Sequence, residues 1–176
     1  MSSLVPIRIE SIAHGGDGVG TLPDGKRVFV PLAAPGDLVE VRLLEERERH
    51  GRGEITRLFE AGPGRREPDC PHFGACGGCQ LQHLDDSAQR AAKEEAFYDA
   101  LARLGACPRD GVESALAIVP SPAAFGYRIR CKLGVRGRQA GFLRRQSNSL
   151  EALAECRLLV PALEALALRV IERQRR

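Results

Sequence analysis

Along residues 4–59 the apolar positions come in short alternating runs separated by turn formers, which predicts five strands at 5–12, 18–22, 27–31, 37–44 and 53–58. Val39, Val41 and Leu43 alternating with Glu40 and Arg42 is a half-buried strand pattern. Gly15-Gly16-Asp17-Gly18, Pro23-Asp24-Gly25-Lys26 and Ala34-Pro35-Gly36-Asp37 are turns, and Asp24-Gly25 between Val19 and Val28 is a hairpin signal. Five short strands with this punctuation suggest a small barrel.

The period then changes. Residues 61–69, rich in Gly, Pro and Arg, read as a linker into a turn-rich loop that holds three cysteines. Asp85 or Asp86 can cap a helix running to Leu104 and stopped at Gly105, with Phe97, Leu101 and Leu104 on its buried face. A strand is expected at 115–119, followed by the breaker Pro120-Ser121-Pro122. The clearest strand pattern covers 127–136: Tyr127, Ile129, Cys131, Leu133 and Val135 form an apolar face opposite the basic Arg128, Arg130, Lys132 and Arg136. After a turn at 137–140 a second strand returns over 141–145, 146–149 turns again, and 150–153 extends once more. Pro161 opens a last helix with Leu163, Leu166, Ala167 and Val170 expected on the buried face. The expected class is α+β, mainly β, with domains at 1–61 (barrel), 62–84 (linker and cysteine loop) and 85–176 (helix, basic hairpin and last helix).

Composition leaves that picture standing: 176 residues, 43% apolar and 28% charged, suit one good core or two small ones. No apolar run reaches the ~20 residues a membrane helix needs and no signal-peptide core follows the start, so a cytoplasmic location is expected. Charge changes the picture more. Residues 115–150 contain no Asp or Glu but carry Arg128, Arg130, Lys132, Arg136, Arg138, Arg144 and Arg145, while the rest of the chain is net acidic. Such a local field suggests a polyanionic partner, nucleic acid first. With few aromatic residues nearby, phosphate contacts should dominate.

The cysteine loop is Cys70-Pro71-His72-Phe73-Gly74-Ala75-Cys76-Gly77-Gly78-Cys79, a C-x5-C-x2-C spacing. Two residues between Cys76 and Cys79 let both sulfurs face one concavity, and Gly77-Gly78 removes Cβ atoms that would crowd a bound centre. In a reducing compartment this spacing reads as a metal loop before a disulfide framework. Cys107, Cys131 and Cys156 compete as fourth ligand. Cys131 fits burial on a strand face, and Cys156, just before a helix N-terminus, stands modestly ahead of Cys107. Spacing alone favours zinc over an iron-sulfur centre, and His72 and His83 are expected beside the site rather than in it.

Two resemblances extend these readings. The run Ile9-Glu10-Ser11-Ile12-Ala13-His14-Gly15-Gly16-Asp17-Gly18-Val19-Gly20, with Val28-Phe29-Val30-Pro31 and Pro35-Gly36-Asp37-Leu38-Val39-Glu40-Val41, resembles a TRAM domain, which implies an OB-like RNA-binding barrel. Cys70 to His83, Gly126-Tyr127-Arg128, Gly141-Phe142-Leu143-Arg144-Arg145 and Ala154-Glu155-Cys156-Arg157-Leu158-Leu159 are similar to the iron-sulfur branch of the RNA uracil-C5 methyltransferases. That resemblance implies a [4Fe-4S] cluster, in place of zinc, on Cys70, Cys76, Cys79 and Cys156. It implies an RNA partner, ribosomal rather than transfer RNA. Lys26, Arg27, Arg128, Arg130, Lys132, Arg144 and Arg145 are the expected contacts. A monomer is expected.

The family reaction moves a methyl group from S-adenosylmethionine to C5 of a uracil, using a cysteine nucleophile, a carboxylate base and a Rossmann-like cofactor domain. None of these can be placed in the 176 residues, so S-adenosylmethionine belongs to an absent C-terminal domain and catalysis by this chain alone is not expected. The alternative is a free-standing metal-containing RNA-binding module. In either case the loop is expected to fix the basic hairpin relative to the barrel.

Overall fold

The computed structural model describes residues 4–105, 107, 108, 111 and 118–175. They form an α+β, mainly β structure that groups into two compact units: Met1–Glu67 with Leu81–Val119, and Pro68–Gln80 with Pro120–Arg176. The cysteine loop therefore belongs with the hairpin and last helix, and the first helix with the barrel.

In the first unit β1 (Leu4–Ile12), β2 (Gly18–Thr21), β3 (Arg27–Val30), β4 (Leu38–Glu46) and β5 (His50–Glu60) close a barrel in the order β1-β2-β3-β5-β4, with β1 also pairing β4. All five expected strands are present, with β5 beginning earlier than its alternation suggests. Ile7, Ile9, Leu22, Val28, Val30, Ala33, Val39 and Val41 fill the interior. The β2–β3 turn follows its sequence signal: Gly25 adopts φ 85° and its N–H donates to Leu22 O at 2.8 Å.

The linker is not loose. Asp37, fully buried, accepts from the N–H groups of Ala34 (2.7 Å) and Gly62 (2.8 Å) and from the Arg65 guanidinium, which also donates to Leu32 O at 2.8 Å. Burial alone would raise the Asp37 carboxyl; Arg65 and the two amides outweigh it and hold the group below the ordinary carboxylate range.

Helix α1 (Asp86–Leu104) starts where the sequence predicts, with the Asp85 carboxylate accepting from Ala88 N–H at 2.8 Å. Its buried face differs. Phe97 (45% exposed) and Leu104 (88%) point outward, whereas Ala88 and Ala92 pack against Ile12, Ala34 and Leu84, and Tyr98 is buried. Small side chains let the first turns approach the barrel, and that approach fixes the helix's rotation in place of its largest apolar residues.

In the second unit β6 (Gly134–Arg136), β7 (Gln139–Leu143) and β8 (Leu150–Glu151) form a sheet in that order, and helix α2 (Pro161–Arg175) packs on β7. The strand expected over 127–136 is corrected here. Only Gly134–Arg136 is strand, Arg128 makes one isolated parallel bridge to Leu159, and Tyr127, Ile129 and Val135 are exposed. An alternating pattern makes a strand only where a neighbour supplies the ladder, and among the described residues none runs beside 129–133. The face of α2 is likewise rotated: Ala167 and Ile171 are buried, Leu166 and Val170 exposed. The strand expected at 115–119 falls mostly outside the described residues. No helix among those described is long and apolar enough to cross a membrane.

Candidate metal centre and nucleic-acid interface

Cys70, Cys76, Cys79 and Cys156 all lie in the second unit, where Cys76 is buried and the other three half-buried. Cys107 falls in the first unit and is exposed. Cys131 is half-buried on a non-strand segment, so its expected place on a strand face is not found. Cys76 and Cys156 share one apolar cluster with Ala140, Leu153 and Ile171.

Backbone pairing positions the loop. Gly77 N–H donates to Leu143 O and Arg145 N–H to Ala75 O, both at 2.9 Å, so the chain around Cys76 continues the end of β7 as an antiparallel bridge. The Gly78 N–H faces Cys76 Sγ at 3.4 Å, and a Cβ on Gly78 would stand 3.4 Å from that sulfur. Glycine keeps the space over the thiol open and leaves an amide aimed at it.

His72 ties this loop to the chain approaching Cys156. Its Nε2 accepts from Ala154 N–H at 3.0 Å, which leaves the proton on Nδ1 to be donated to Glu151 Oε1 at 3.2 Å. Glu164, in the first turn of α2, accepts from Cys156 N–H at 2.6 Å. Both histidines lie outside the thiol set: His83 Nε2 is within 3.1 Å of Ala33 O in the first unit.

The electrostatics agree with this grouping. Burial, opposed by the His72 amide, and then the charges of Cys156 and Glu155 push the Cys70 thiol up. Burial, opposed by the Gly78 amide, and then Cys156, Cys70 and Glu151 do the same to Cys76. Cys70 and Cys76 thus both feel the charge of Cys156, and Cys76 that of Cys70 as well. Among the described residues, no three His, Cys, Asp or Glu side chains are arranged to hold a single metal ion.

The expected RNA contacts divide. Lys26 is paired with Glu46 (2.7 Å) and Asp24 (3.1 Å), and Arg27 with Glu10 (2.6 Å). Arg144 lies 3.6 Å from Glu151, Arg145 is half-buried and Arg128 is held through its backbone to Leu158 and Val160. Arg130, Lys132 and Arg136 are exposed, with no acidic partner in ion-pair reach among the described residues. The sequence reading did not find the Asp37–Arg65 pair, the His72–Glu151 link or the edge-to-face contact of Phe29 with His50 at 5.8 Å. Each joins residues distant in sequence, so only the fold reveals it.

A TRAM domain model matches residues 3–56. The 23S rRNA (uracil(1939)-C(5))-methyltransferase RlmD of Azoarcus sp. is 39% identical over 171 residues, covering 93% of this chain and 38% of the relative. The RlmD of Halomonas elongata is 40% identical over 163 residues, 90% of this chain and 33% of the relative. An uncharacterized RNA methyltransferase of Aquifex aeolicus is 32% identical over 152 residues, 86% of this chain and 35% of that protein. The crystal structure of Pyrococcus abyssi tRNA (uracil-54, C5)-methyltransferase in complex with S-adenosyl-L-homocysteine matches with TM-score 0.58 and 26% identity, over 95% of this chain and 35% of that one. The chain thus spans about a third of the length of the curated relatives it matches.

Proposed function

We propose, from its TRAM domain and its likeness to RNA uracil-C5 methyltransferases, that this chain is the RNA-binding and iron-sulfur-bearing portion of such an enzyme. The observation that carries the proposal is identity of 39% and 40%, over nine-tenths of the chain, to two 23S rRNA enzymes. Ribosomal RNA is favoured over transfer RNA because the transfer RNA enzyme is the more distant, at 26%.

Cys70, Cys76, Cys79 and Cys156 would hold a [4Fe-4S] cluster. Four thiolates round one zinc ion bound at about 2.3 Å draw their sulfurs to within roughly 3.8 Å of each other. The likeness to the iron-sulfur branch of the family is what favours a polynuclear centre over that arrangement. When bound, the cluster supplies metal–thiolate bonds, and its role is structural. All four ligands lie in the second unit, so the tie closes that unit on itself, and the expectation that it spans barrel and hairpin is not carried forward. Gly78 keeps room at Cys76, while His72 and Glu164 hold the backbone on either side of the set.

Exposed Arg130, Lys132 and Arg136 would meet RNA phosphates. Anaerobic purification followed by iron, zinc and acid-labile sulfide analysis tests the centre. Iron and sulfide lost together in Cys156→Ser are expected; zinc without sulfide in the parent refutes the cluster.

A further inference from the structure

Resting on the RNA reading, we infer that Phe29 and His50 on the outer wall of the barrel form a stacking platform for one unpaired RNA base, recognised without net charge. Val28 and Val30 are fully buried in the barrel, so alternation turns Arg27 and Phe29 outward on β3. The parallel pairing of β3 with β5 sets His50 opposite Arg27 and Arg52 opposite Phe29. The two rings meet edge to face at 5.8 Å and 82°, an arrangement that fixes the phenyl plane while leaving it only half-buried. Two other rings carry a guanidinium: Arg57 lies over Phe59 at 5.0 Å and Arg157 over Phe125 at 5.5 Å.

The surroundings are polar but neutralised. Arg27 Nη1 donates to Glu10 (2.6 Å) and Thr21 (2.9 Å), and Arg52 Nη2 to Asp17 (2.8 Å). Each guanidinium is thereby held still, and its remaining N–H groups have no partner among the described residues. They are donors for the carbonyl edge of a base stacked on Phe29. Strand order 1-2-3-5-4 is that of an OB-type barrel, whose β2–β3 face is suited to oligonucleotides. With Glu10 and Asp17 cancelling the two arginines, affinity gained here should not vary with salt, unlike phosphate contacts.

The test compares two single-stranded RNAs of equal length, roughly 4–16 nucleotides, one carrying bases and one abasic throughout, binding the 176-residue chain and its Phe29→Leu and Phe29→Trp variants. Phe29→Leu is expected to lose about tenfold on the base-bearing RNA, nothing on the abasic RNA, and to keep the parent's salt slope. Phe29→Trp should retain parent affinity. Unchanged binding by Phe29→Leu, or equal loss on both RNAs, overturns the platform, the latter because Phe29 would then serve the fold. If the parent binds neither RNA, the RNA reading falls and the platform with it.

Discussion

The two units solve the same problem with different means. The barrel has a closed sheet, a contiguous interior of Ile, Leu, Val and Ala, and acids against five of its cations: Glu60 on Arg8, Glu46 on Lys26, Glu10 on Arg27, Glu54 on Arg42 and Asp17 on Arg52. The second unit has a four-residue buried cluster of Cys76, Ala140, Leu153 and Ile171, with Leu158, Leu159 and Ala167 also buried, relies on strands of two to five residues, and leaves Arg130, Lys132 and Arg136 without acids among the described residues. Sparser apolar burial leaves more for a cross-link to stabilise, and cations left without acids keep a field that a polyanion can meet.

The largest expected effect separates the two on stability. In hydrogen exchange, Cys156→Ser should accelerate amides of β6 and β7 by roughly a hundredfold or more while β1–β5 keep their protection. Equal loosening of both units would break the contrast.

Next comes the barrel's own buried charge. Arg65→Ala leaves fully buried Asp37 without its cation and should cost about 3–5 kcal/mol in denaturant unfolding of the first unit, with the second unit unchanged. The pH dependence has a definite sign. Asp37 is held below its unfolded value of about 3.9, so its contribution is present above that pH and lost as pH falls through the depressed folded pKa. Parent barrel stability should drop there, and the drop should shrink in Asp37→Asn.

The smallest effect concerns partners. Replacing Arg130, Lys132 and Arg136 together by Gln should reduce the log–log salt slope of RNA binding by about 2. Lys26→Gln, whose charge is already met by Glu46 and Asp24, should leave the slope unchanged. Equal effects would erase the electrostatic division.

Legibility followed the same boundary. Barrel strands could be read because Val39, Val41 and Leu43 alternate against a partner that exists, and Asp24-Gly25 dictates its own turn. The pattern over 127–136 was just as clear, but most of it has no ladder neighbour. For α1, Phe97 and Leu104 promised a face that Ala88 and Ala92 took by fitting closer. The thiols were visible through spacing in Cys70–Cys79, whereas His72, Glu151 and Glu164, which steady the chain before and after Cys156, carry no local signal.

The discontinuity of the units has a temporal consequence. The chain contributes Pro68–Gln80 to the second unit, returns to the first at Leu81, and reaches Cys156 only much later. At about 5–20 residues per second of synthesis, the barrel strands are complete while three thiols wait several seconds for the fourth. During nascent-chain growth those cysteines would be open to oxidation or stray metals, and assembly of the proposed centre would be timed by translation of the segment up to α2.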